Sequence, residues 1–299
     1  QDAAYLAGTV LARAVYGADH PYGRRVTGEI ADVQKITVDD LKRTWARLAV
    51  PGEATLLVAG DITAAQAQEL AVAALGGWTV GEVARLELPA PPAPCEARRI
   101  LLVDRPGATQ SQIRLGQIGI PLADPGYIPF EVMNYILGGG GFSSRLMRKI
   151  RSELGYTYGI HSSLEPRKFP GPFTISTFTP TDITFSCVEE IQAVLRAFLE
   201  TGATEQERQE AVQFLTGSYP RRFETLTQIA QRIIQAELHG LGLEYLSAYP
   251  GRVAGVSLEE ISRACRENLH PQDLLAVIVG RAESFHRSFE SLGPVEVSS

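Results

Sequence analysis

Two segments of this 299-residue chain match each other without a gap at an offset of 220 residues, and a duplication of that kind points to a fold built from two copies of one unit. Val33 falls on Val253, Ile36 on Val256, Thr37 on Ser257, Asp39 and Asp40 on Glu259 and Glu260, Leu41 on Ile261, Arg43 on Arg263, Pro51 on Pro271 and Gly60 on Gly280. In each copy Thr37 or Ser257 is suited to cap a helix, with acidic residues in the first turn, where the positive end of the helix dipole attracts them. Apolar residues recur at helical spacing over 41–48 and 261–269. Pro51 or Pro271 stops each helix, and the apolar runs 56–59 and 276–279 then read as buried strands.

If each copy closes a domain, the second domain starts near residue 98, and about 120 residues of a first domain are expected ahead of Gln1. Residues 1–86 are then the C-terminal remnant of that first domain. Pro89, Pro91, Pro92 and Pro94 make 87–97 an extended linker, and 98–299 is a complete second domain.

Within the second domain, 100–104 and 111–120 read as strands split by the turn at Pro106-Gly107. Residues 127–137 have helical periodicity and run into Gly138, Gly139, Gly140 and Gly141. A second helix follows, capped by Ser143 or Ser144 and stopped at Gly155. Residues 156–164 and 173–179 read as paired antiparallel strands, and 182–200, 205–219 and 225–239 as long helices. This order implies an α+β fold: two homologous sandwich domains, each a largely antiparallel sheet with helices on one face, the first of them truncated. The four-glycine run follows a helix rather than a strand and lacks the Lys-Ser/Thr of a phosphate-binding loop.

The net charge of −6 carries no basic excess, and no Lys/Arg run exceeds two residues, which argues against nucleic acid as a partner. No apolar stretch approaches the roughly 20 residues of a membrane helix. The sequence names no compartment and is compatible with the bacterial cytoplasm or the periplasm. Cys95, Cys187 and Cys265 are odd in number and scattered, so they read as plain thiols rather than a disulfide framework. None of His20, His161, His239, His270 and His286 has a second His four residues away, so no helix can present two imidazoles to one metal ion. No metal ligand and no cofactor is assigned within this chain.

Taken together, 137–146 (Leu-Gly-Gly-Gly-Gly-Phe-Ser-Ser-Arg-Leu) and 150–158 (Ile-Arg-Ser-Glu-Leu-Gly-Tyr-Thr-Tyr) resemble the insulinase-like, or pitrilysin, family of zinc peptidases. His20-Pro21-Tyr22-Gly23-Arg24 and Val58-Ala59-Gly60-Asp61 are similar to the end of the family's first domain. The resemblance implies a clamshell of two homologous domains around an unfolded peptide or small protein. Zinc is then expected in the missing region or a partner chain, on a His-x-x-Glu-His motif that this chain lacks. The second domain of the family carries an Arg and a Tyr seven residues apart that reach the substrate, and Arg151 and Tyr158 have that spacing. Gly138, Gly139, Gly140, Gly141 and Phe142 are carried over as substrate-binding residues.

The chemistry suits the pair. A permanently charged guanidinium and a phenol hydroxyl can both donate to an oxyanion forming on a peptide carbonyl. The first expectation is therefore an accessory, substrate-binding part of a zinc endopeptidase, inactive alone, whose partner is a zinc-bearing homologous domain or subunit. A catalytically dead scaffold or assembly subunit is the second, and a peptide-binding module without an enzymatic partner the third. Retention of both Arg151 and Tyr158 favours the first.

Overall fold

The strand Leu275–Gly280 is buried at all six positions, so the sheet that contains it has to be covered on both faces. The computed structural model describes residues 2–78, 89 and 99–298; apart from Pro89, the linker expected at 87–97, Cys95 and the boundary at 98 lie outside the described residues. The strands are β1 (Ile100–Asp104), β2 (Gln110–Ile118), β3 (Ile160–Leu164), β4 (Pro172–Pro180), β5 (Leu275–Gly280) and β6 (Val295–Ser298). They form one mixed sheet in the order β3-β4-β2-β5-β1-β6. β2 runs antiparallel to β4 and β5, and β3 to β4, whereas β1 is parallel to both β5 and β6.

Among the described residues the helices are α1 (Ala3–Tyr16), α2 (Ile30–Val33), α3 (Val38–Leu48), α4 (Ala64–Leu75), α5 (Tyr127–Asn134), α6 (Thr184–Thr201), α7 (Glu205–Ser218), α8 (Leu226–Leu238), α9 (Glu244–Ala254), α10 (Leu258–Asn268) and α11 (His286–Phe289). Side chains alternate across a strand, so β5 sends Ala276 and Ile278 to one face and Leu275, Val277 and Val279 to the other. On the first face Phe130, Ile191, Leu195 and Ile261 of the helices close over Ile113, Leu115, Phe173 and Ile175 of the sheet, the expected α+β arrangement. The second face carries a helix as well. α1 buries Ala7, Leu11 and Val15, spaced four apart, against Val103 and the odd residues of β5. Burying Leu6, Leu11 and Val15 there contributes on the order of 4–9 kcal/mol before ordering costs. A segment from the part of the chain ahead of residue 87 thus packs on the sheet formed by 100–298, which periodicity within either segment does not reveal.

The repeat is visible as two helices with the same cap. The Ser257 side chain accepts from the Glu260 N–H at 3.2 Å, and Glu260 accepts from the Ser257 N–H at 2.8 Å. Thr37 and Asp40 repeat this reciprocal pair at 3.2 and 2.8 Å. Burial separates the copies: Ile261 and Cys265 are 0% and 2% exposed, while their counterparts Leu41 and Trp45 are 60% and 73% exposed. The strand expected at 56–59 is not formed. A strand needs a ladder on at least one side, and β5 has β1 and β2 beside it, whereas no strand flanks 56–59 among the described residues.

Further features of the chain are local. The strand expected from 156 starts at Ile160, the segment Met147–Glu153 is wound as a π-helix, and α9 forms although Pro250 lies inside it. Proline has no N–H for the carbonyl four residues back. That carbonyl, on Leu246, accepts the Tyr219 hydroxyl at 2.8 Å instead. Cys187 and Cys265 are buried, and burial pushes their thiols up to about 12 and about 11, which makes both weak nucleophiles at neutral pH.

Candidate functional site

The glycine run is a close-packed corner between α5 and β3. After α5 the chain makes a π-helical turn (Tyr135–Gly139), with the Gly140 N–H donating to the Tyr135 carbonyl at 2.8 Å. A β-carbon on Gly138 would stand 2.5 Å from Ser162 Oγ and 2.7 Å from Ser162 N, so only glycine lets the corner meet the strand. Gly138 is buried by that contact, whereas Gly139, Gly141 and Phe142 are exposed and Gly140 is half-buried. The Ser162 hydroxyl donates to Asn134 Oδ1 at 2.6 Å, and Asn134 Nδ2 donates to the Ser162 carbonyl at 3.3 Å. The Ser162 carbonyl at the centre of β3 is therefore engaged by a side chain.

Beyond the corner, the Ser144 hydroxyl donates to the Gly141 carbonyl at 2.7 Å and Arg145 anchors the turn to the start of α7. Its guanidinium makes two 2.7 Å hydrogen bonds to Glu207, a third to the Gly202 carbonyl, and lies 4.4 Å over the Phe198 ring.

Arg151 and Tyr158 come together beside this corner. Arg151 lies in the π-helical segment, where the Leu154 N–H reaches the Lys149 carbonyl at 3.1 Å and the Tyr156 N–H the Ile150 carbonyl at 3.0 Å. Gly155, at φ +67°, reverses the chain. Tyr158 then stands in a turn ahead of β3, not on a strand as its alternation suggested. The Arg151 guanidinium carbon is 4.8 Å from the centroid of the Tyr158 ring and 4.3 Å from that of Phe142, so the cation is flanked by two aromatic faces. The two rings are 78% and 66% exposed. No carboxylate among the described residues pairs with Arg151, which leaves its N–H edges open to a ligand acceptor. Donors on Arg151 and the Tyr158 hydroxyl, framed by exposed rings and glycine backbone, can hold an extended acyl or carboxylate group.

The His20-Pro21-Tyr22 stretch has a docking role that the sequence did not reveal. His20 stacks on Tyr16 at 5.2 Å and its Nδ1 accepts from the Tyr22 N–H at 3.0 Å. Tyr16 donates to the Pro170 carbonyl at 2.8 Å, and Arg167 lies 4.3 Å over the Tyr22 ring. These contacts seat the end of α1 on the β3–β4 connection. A proline between His20 and Tyr22 is the signal, but the partner lies 147 residues away at Phe169, beyond any local pattern.

Among the described residues no group of three His, Cys, Asp or Glu side chains could hold a metal ion, so they do not fit a zinc site. No described helix is long and apolar enough to cross a membrane.

The family profile of the peptidase M16 inactive domain matches residues 35–215. A non-peptidase homologue from Helicobacter pylori is 26% identical over 278 residues, 92% of this chain and 62% of that protein. An uncharacterized zinc protease from Streptomyces coelicolor is 26% identical over 282 residues, 90% of this chain and 59% of that protein. The crystal structure of a peptidase M16 inactive domain from Pseudomonas fluorescens has a TM-score of 0.84 at 27% identity, covering 93% of this chain and 66% of that one. The chain thus spans about three fifths of the length of these curated relatives. With more than half of its residues matched by that profile and the fold shared, this chain belongs to the family of the peptidase M16 inactive domain.

Proposed function

We propose that the chain is the substrate-binding accessory part of an insulinase-like zinc endopeptidase and presents Arg151 and Tyr158 to a bound peptide. The observation that carries this reading is their convergence: seven residues apart, across a π-helical turn and a glycine reversal, the guanidinium lies 4.8 Å over the phenol ring with no carboxylate partner among the described residues. A guanidinium held between two rings loses little further freedom on accepting a ligand, which favours its use as a preorganised donor. Exposed Gly139, Gly141 and Phe142 would border the peptide, while Gly138 supports the corner from beneath.

The organisation into a remnant (1–86), a linker (87–97) and a second domain (98–299) is part of the same reading. Leu41, Trp45 and Leu48 on α3 match a helix face that is largely buried in the second copy, and this exposed apolar surface supports a reading in which a homologous zinc-bearing domain or subunit covers it. Zinc enters only with that partner, since the described residues of this chain do not fit it.

The test is turnover of an unfolded peptide by the chain reconstituted with its zinc-bearing partner. Tyr158→Phe and Arg151→Ala should each lower kcat by on the order of 10²-fold, as removal of an oxyanion donor does elsewhere, with Tm unchanged. Full activity of Tyr158→Phe would refute the assignment. A scaffold role is the second reading, favoured by the non-peptidase homologue from Helicobacter pylori; it calls for the chain to stabilise an assembly whether or not Tyr158 keeps its hydroxyl.

A further inference from the structure

We infer that Thr177, on β4, is the positioning residue that aims Tyr158, through a strap of buried threonine hydroxyls that takes over where the β-ladder stops. The β3–β4 ladder begins at Ile160 opposite Thr177. Ahead of that pair, 156–159 have no ladder partners, so their backbone groups need others. Threonine side chains supply them. Thr177 Oγ1 lies 2.9 Å from the Gly159 carbonyl and 3.0 Å from Thr157 Oγ1. The Gly159 N–H donates to Thr157 Oγ1 at 3.1 Å, and the Thr179 hydroxyl donates to the Tyr156 carbonyl at 2.6 Å. Thr157, Thr177 and Thr179 are 8%, 3% and 0% exposed, whereas Tyr158 between them is 78% exposed. Both neighbours of Tyr158 are thus tied inward by hydroxyls, which forces the intervening side chain outward and over Arg151. Thr177 touches no exposed surface and acts only through the turn.

The inference rests on Arg151 and Tyr158 forming the peptide site, but its test reads their geometry rather than catalysis. Two substitutions separate a hydroxyl role from a packing role. Thr177→Val keeps the shape and removes the hydroxyl; Thr177→Ser keeps the hydroxyl and removes a methyl. Nuclear Overhauser contacts between the Tyr158 ring and the Arg151 side chain, recorded on the full chain, should persist in Thr177→Ser and be lost in Thr177→Val. If packing alone matters, the order reverses, and persistence in Thr177→Val overturns the inference, as does loss in both variants.

Should Thr177→Val fail to fold, the wild-type chain still decides. The Thr177 hydroxyl proton, buried and held at the Gly159 carbonyl, should exchange slowly enough to be detected with a nuclear Overhauser contact to Gly159, and its loss to rapid exchange overturns the strap. Turnover of the reconstituted assembly separates the two readings. Full activity in Tyr158→Phe removes the proposed role of the pair in hydrolysis, and the contacts and exchange rates still report whether Thr177 holds the turn.

Discussion

Replacing Arg145 by Met tests how the glycine-rich corner is held to the helical layer. Arg145 and Glu207 are 16% and 15% exposed in their side chains and share two 2.7 Å hydrogen bonds, while Glu207 also accepts from the Thr204 N–H at 2.9 Å as the cap of α7. Burial opposes ionisation of Glu207, but hydrogen bonds from Arg145 and Thr204 outweigh it and hold the carboxyl down at about 2. Because this folded value lies below the unfolded one, the pair stabilises the chain at neutral pH, and that contribution fades as pH falls from about 5 towards 2. Every tenfold drop in proton affinity corresponds to about 1.4 kcal/mol, and solvent screening of a partly exposed pair reduces the total to roughly 1–2 kcal/mol. Methionine retains contact with Phe198 but leaves the carboxylate with only Thr204 and the more exposed Arg148, 3.3 Å away, so Arg145→Met should cost about 1–2 kcal/mol at pH 7 and lower Tm by roughly 2–6 °C. Urea unfolding of wild type and variant between pH 7 and pH 3 should show the difference shrinking with acidity. A difference that stays constant across that range, or a Tm unchanged at pH 7, would refute the argument.

Gly138→Ala should destabilise by about 1–3 kcal/mol, because its β-carbon meets Ser162 backbone rather than a flexible side chain, whereas Gly107→Ala, with nothing near its β-carbon, should be neutral in the same urea titration. Leu11→Ala opens the contact between α1 and the sheet and should cost about 2–4 kcal/mol; an unchanged denaturation midpoint would mean that α1 does not rest there in solution. Exhaustively dialysed chain should contain no stoichiometric zinc by metal analysis, and one retained zinc per chain would contradict the reading of its histidines and acids.

What the sequence determined by itself is what short-range physics decides. The capping boxes at Thr37 and Ser257 need only residues three apart, and the helices that follow them form in both copies despite opposite environments. The uniformly apolar run of β5 and the alternation in β4 likewise announced their strands. The pairing of Arg151 with Tyr158 came from the family resemblance rather than from their spacing, and the guanidinium does lie over the phenol ring. Tertiary structure decided whatever depends on a distant partner. Residues 56–59 have the composition of β5 but no neighbouring strand among the described residues, because a ladder is made by two segments and a sequence pattern describes only one. The same holds for α1, whose apolar stripe predicts a covered face and cannot say whose. Tyr158 left the strand that its alternation suggested because Thr177 and Thr179, about 20 residues later, offer hydroxyls to its turn. Arg145 reads as one more surface charge until α7 places Glu207 opposite it, since a long side chain takes its partner from the packing of helices and not from its neighbours in the chain.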